Sequence, residues 1–148
     1  MVLGVGNLYR CDDAAGIMVA RNLIDKGSDY MTVQEQSGEG TNLIEAWKKF
    51  DKVWIVDAVS SGGSHGIIHR FDVLKNSIPS DYFSCSSHNF GVAEAIELAR
   101  TLNKLPAQLQ LYGIEGKNFQ HGEMISQEVK QAITTVADEI YQSISLIS

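Results

Sequence analysis

The run "KVWIVDAV", residues 52–59, leaves little choice about its surroundings. Val53 to Val56 are β-branched or aromatic with no polar break, so a strand here needs cover on both faces. Such strands belong to mainly parallel sheets with helices above and below. The rest of the chain supplies matching elements. Met1–Val5 reads as a short buried strand, and from Asp12 the pattern turns helical. Ile17, Ala20 and Ile24 lie on one face of that helix, and Gly27 is placed to stop it. Met31–Gln36 is a weaker strand. Thr41 is placed to cap a short helix that turns Leu43, Ile44 and Trp47 inward. "SSGGSHGIIHRF" reads as a loop or small hairpin. Ser87 precedes a helix carrying Val92, Ala95, Ile96 and Ala99, and Leu109–Tyr112 forms a last strand. Ser126 caps a final helix with Val129, Ala132, Ile133, Val136 and Ile140 on one stripe. The expectation is one domain over residues 1–148, a three-layer α/β/α sandwich around a mainly parallel twisted sheet with right-handed crossovers.

Composition narrows the function. A net charge of −6 over 148 residues argues against nucleic acid as a partner. Two cysteines are too few for a disulfide framework or a four-cysteine zinc site. With no signal-like start and no membrane-length apolar run, the expectation is a soluble, cytoplasmic monomer without membrane contact.

In an α/β sheet of this kind the functional crevice lies beyond the carboxyl ends of the strands. "GVGNLY" offers two glycines of a dinucleotide fingerprint, but Tyr9 stands at the third position. No lysine follows at phosphate-loop spacing, and Asp12 and Asp13 would repel a phosphate. The glycines instead suit a tight turn and a close backbone approach. Asp12 and Asp13 fit helix capping, or one caps while the other enters the crevice. Asp57 interrupts an apolar strand at its end, where a buried charge needs a partner or a cation. His88 lies in the first turn of a helix, whose dipole favours a neutral, ligating ring. Asp13 and Asp57 follow expected strand ends and His88 starts a helix within reach of the same edge; two carboxylates and one imidazole converging there would make a three-ligand metal site with open positions.

Two other patterns fare worse. His65 and His69 in extended chain would stand about 13 Å apart, too far to share an ion. "GGSHG" matches a Gly-x-Ser-x-Gly nucleophile pattern at Ser64, but strand-like residues follow where that motif needs a helix. Cys11 and Cys85 read as small apolar fillers.

Taken in order, "GVGN", "DDAAG", "VDAV", "SSHNFG", "LYGIEG" and "GEMISQEV" resemble the [NiFe]-hydrogenase maturation endopeptidases along nearly the whole chain. The resemblance implies a phosphorylase/hydrolase-like α/β sandwich. It also implies an endopeptidase that removes a C-terminal extension from a hydrogenase large-subunit precursor after nickel insertion. The family's nickel ligands fall on Asp13, Asp57 and His88, which would serve as both metal-binding and catalytic residues. Nickel would arrive with the precursor, and zinc or cadmium would substitute in vitro. Many members carry an Asp-Gly-Gly-Thr loop after the second strand. Here the loop is "QSGEGT", in which Gly40 and Thr41 match as substrate-binding residues and the acid has no clean counterpart. A nickel-sensing or chaperone protein would use the same ligands without cleavage, and a serine hydrolase would instead depend on Ser64.

Overall fold

The computed structural model describes residues 1–83 and 90–147. Strands β1 (Val2–Val5), β2 (Val33–Gln36), β3 (Lys52–Val59), β4 (Ile68–Asp72) and β5 (Gln108–Glu115) form one sheet. Helices α1 (Ala15–Lys26), α2 (Gly40–Trp47), α3 (Val92–Thr101) and α4 (Gln127–Ile147) complete the α/β frame. The strand order is β2-β1-β3-β5-β4. β1, β2, β3 and β5 pair in parallel, and β4 is an antiparallel edge on β5.

The β3 run behaves as its composition demands. It pairs with β5 from Lys52↔Gln108 to Val59↔Glu115 and with β1 on its other side. Val53, Ile55 and Val59 pack into a core with Leu43 and Trp47 of α2 and Ala95, Ile96 and Ala99 of α3. Trp54, Val56 and Ala58 pack into the opposite core with Val19 and Leu23 of α1 and Val129, Val136 and Ile140 of α4. Alternate side chains of one strand thus feed two cores, the three-layer sandwich expected.

Several local expectations need correction. The first helix does not begin at Asp12: Cys11–Ala14 is a 3-10 turn, and α1 starts at Ala15 without a side-chain cap. Ile24 is 52% exposed rather than inward, because Leu23 beside it takes the core position in the last turn of α1. There it borders an open groove with Met31 and Val33 instead of the core. Thr41 lies inside α2, and Glu39 takes the N-cap position. The last strand runs three residues past Tyr112, through Glu115. Among the described residues no helix is long and apolar enough to cross a membrane.

Candidate functional site

The chain between β1 and α1 is shaped by close backbone approach. A Cβ on Gly16 would lie 2.2 Å from the Val56 carbonyl oxygen and 2.3 Å from that of Val5. A Cβ on Gly4 would lie 2.3 Å from the Gly16 carbonyl oxygen. The first turn of α1 therefore rests directly on the backbones of β1 and β3, which only glycine permits. This approach carries Asp13 to the carboxyl ends of both strands, where Asp57 also lies. Both acids are buried, each 5% exposed.

Their charges interact. Burial pushes the Asp57 carboxyl well above the ordinary carboxylate range, and the Asp13 charge pushes it further. The N–H of Ala58, donated to Asp57 Oδ1 at 2.8 Å, opposes them without prevailing. Beside Asp13 stands Arg10, whose Nη1 is 3.7 Å from Asp13 Oδ2. Two neighbouring buried acids at the sheet's carboxyl edge, one of them disfavoured as an anion, form a site that a cation would relieve.

Asp12 has a different task. Fully buried, it accepts the N–H groups of Lys117 (2.7 Å) and Asn118 (3.1 Å) on Oδ2 and that of Ser126 (2.8 Å) on Oδ1. The Ser126 hydroxyl also donates to Oδ2, at 2.7 Å. Burial pushes the Asp12 carboxyl up, but these four bonds outweigh it and hold the group below its usual range. Asp12 thus ties the 3-10 turn to the loop between β5 and α4 and fixes its neighbour Asp13 against the sheet. The capping role expected for these acids is replaced by this long-range clasp.

His88 and Cys85 lie outside the described residues. Gly40 is buried at the start of α2, where its N–H donates to the Phe90 carbonyl at 2.9 Å. A Cβ there would strike the Phe90 ring at 2.1 Å. Thr41 is exposed beside it. Ser64 is exposed too, and a turn and β4 follow it rather than a helix, so the nucleophile geometry is missing. His65 is exposed in that turn, whereas His69 is on β4. Among the described residues, no group of three or more His, Cys, Asp or Glu side chains is arranged to hold a metal ion.

Sequence reasoning passed over Glu115. It ends β5 as an acid 2% exposed, accepting from the Ser61 hydroxyl (2.5 Å), the Ser61 N–H (2.9 Å) and His69 Nε2 (3.0 Å). Burial pushes its carboxyl up, and the bonds from Ser61 and His69 bring it below the ordinary value. The signal was available: Glu115 is an acid closing an apolar run, whereas Asp57 interrupts β3 two residues before its end at Val59.

The family model for hydrogenase maturation proteases (HycI) matches residues 19–143. The chain belongs to the hydrogenase maturation protease family. Hydrogenase expression/formation protein HupD of Thiocapsa roseopersicina is 28% identical over 139 residues, 90% of this chain and 62% of that protein. The chain therefore spans about three fifths of that relative's length. Hydrogenase 2 maturation protease of Escherichia coli strain K12 is 27% identical over 119 residues, 77% of this chain and 71% of that protein. The fold matches the hydrogenase maturating endopeptidase HybD from E. coli with a TM-score of 0.77 at 19% identity, covering 99% of this chain and 92% of that one. Within this fold the buried acids Asp13 and Asp57 gather at the carboxyl ends of β1 and β3.

Proposed function

We propose that this chain is an endopeptidase that removes the C-terminal extension of a [NiFe]-hydrogenase large-subunit precursor once nickel has been inserted. Asp13, Asp57 and His88 ligate the nickel that the precursor carries, so the metal is part of the substrate. The observation that carries this reading is the pair of buried acids, Asp13 and Asp57, at the carboxyl ends of neighbouring parallel strands. Burial and then the Asp13 charge raise Asp57, and a cation between the two acids would offset both and draw off the Asp57 proton. Carboxylates joined by an imidazole favour nickel, zinc or cadmium over magnesium.

Docking also supplies selectivity. A precursor without metal offers nothing for the acids to hold, and its tail is not fixed against the crevice. Thr41, exposed in the first turn of α2, meets the peptide, and Gly40, buried against Phe90, lets the two segments approach closely. The protein acts in the cytoplasm, on precursor protein.

The test is to incubate nickel-loaded and nickel-free precursor with the purified protein and weigh the products by mass spectrometry. Loss of the C-terminal extension from the loaded precursor only is the expected result. Efficient cutting of nickel-free precursor overturns the docking mechanism. Binding of loaded precursor without any cleavage identifies a sensor or chaperone instead.

A further inference from the structure

The crevice contains a fixed positive charge beside its acids. Arg10 Nη1 lies 3.7 Å from Asp13 Oδ2, a charge contact longer than a hydrogen bond. The guanidinium is fastened elsewhere, because Arg10 Nε donates to the Phe119 carbonyl at 3.2 Å. The backbone around it is pinned as well. Arg10 N–H donates to Asn7, Asp13 N–H donates to the Arg10 carbonyl at 3.0 Å, and Arg10 bridges to Gly122. Cys11, the next residue, is held at φ +49° with its N–H on the Gly122 carbonyl at 2.8 Å. Such strain in a non-glycine residue persists only where the surroundings over-determine it. Arg10 is thus built into place, with its side chain about a quarter exposed (24%) and that of Asp13 at 8%.

We infer that Arg10 is a specificity-determining residue, a resident countercharge that turns away free divalent cations and admits a metal already bound to anionic ligands. The inference rests on the docking reading of Asp13 and Asp57. A hydrated dication brings its full charge toward the guanidinium and is repelled at short range. A metal held by anionic groups of a precursor protein carries less net charge and meets less opposition. Arg10 therefore lets two buried acids remain poised without scavenging metal from solution. Because Arg10 is partly exposed, its effect weakens as salt rises.

Isothermal titration of nickel chloride and zinc chloride into the parent, Arg10→Gln, Arg10→Lys and the double variant Arg10→Gln/Asp13→Asn tests this. Gln keeps a donor for the Phe119 carbonyl and removes the charge; Lys keeps the charge. Arg10→Gln is expected to bind both ions about tenfold more tightly than the parent at low salt, with the gap narrowing at high salt. Arg10→Lys should stay near the parent, and the double variant should lose the gain. Unchanged, weaker or unmeasurable binding by Arg10→Gln overturns the inference; if the single variant Asp13→Asn then lowers the parent's metal binding, the docking reading still stands. Tight binding that survives in the double variant places the ion away from Asp13 and overturns both.

Discussion

The Asp12 carboxylate and Ser126 meet across 114 residues of sequence, with both the hydroxyl and the N–H of Ser126 donated to it at 2.7 and 2.8 Å. That pair joins the turn carrying Asp13 to the start of α4. With Lys117 and Asn118 it gives Asp12 four donors and no acceptor.

An Asp12→Asn protein should therefore be nearly as unstable as Asp12→Ala. The amide keeps one acceptor oxygen and turns an NH2 group toward groups that themselves donate. A loss of about 3 kcal/mol is expected by chemical denaturation at neutral pH. The pH dependence has a definite sign. Because Asp12 is held below its ordinary range, its contribution is present above about pH 4 and disappears as pH falls through that range and below. The gap between parent and Asp12→Asn should close under acid. A gap that stays constant from neutral pH to pH 2 would remove the charge from this account.

Gly16→Ala tests the close approach of α1 to the sheet. The added methyl would strike the carbonyl oxygens of Val56 and Val5, which are backbone and cannot rotate aside. The helix must lift, at a cost of about 2–3 kcal/mol. Asp13 leaves the sheet with it, so metal and precursor affinity should fall together with the melting temperature. A stable Gly16→Ala protein with parent-like affinity contradicts this view of the turn.

Ser64→Ala should leave cleavage of loaded precursor unchanged. Ser64 is exposed and is followed by a turn and a strand, so nothing there places its hydroxyl for attack. Abolished turnover with intact folding would revive the serine-hydrolase reading.

How much of this was legible in the sequence depends on the range of the contacts. The composition of Val53–Val56 alone implied two covered faces, and the sheet provides them. The glycines of "GVGN" were legible as places of close approach, although the contacts of Gly4 with Gly16 and of Gly6 with the Asp13 backbone were not. Asp57 stood out as an acid after an apolar run, although β3 continues past it through Ala58 and Val59 rather than ending there. The same rule reaches Glu115 once β5 is allowed its full length. Asp12 was opaque for a physical reason: its partners lie 105 to 114 residues away, and helix capping is a local rule that cannot see them. Ile24 failed for a similar reason, since periodicity places a residue on a face but does not say where the covering layer ends.

Asp57 should behave as the reverse of Asp12. Burial and then the Asp13 charge raise its carboxyl well above the ordinary range, so its ionised form is disfavoured in the folded protein. A group raised on folding imposes no penalty below its unfolded value of about 4, and an increasing one as pH climbs through its folded value. Asp57→Asn removes that penalty and keeps an oxygen to accept the Ala58 N–H. At neutral pH the variant should be more stable than the parent by about 1 kcal/mol, the usual trade at a strained functional site. The advantage should vanish below about pH 4, where the parent carboxyl is protonated in both states. The same variant should lose affinity for loaded precursor, because an amide does not attract the cation. Denaturation curves at pH 7 and pH 3, run beside a precursor pull-down, read both effects. An Asp57→Asn protein less stable than its parent at pH 7 would mean that Asp57 is held as a structural anion, as Asp12 and Glu115 are, and would count against it as a ligand kept under strain for a metal.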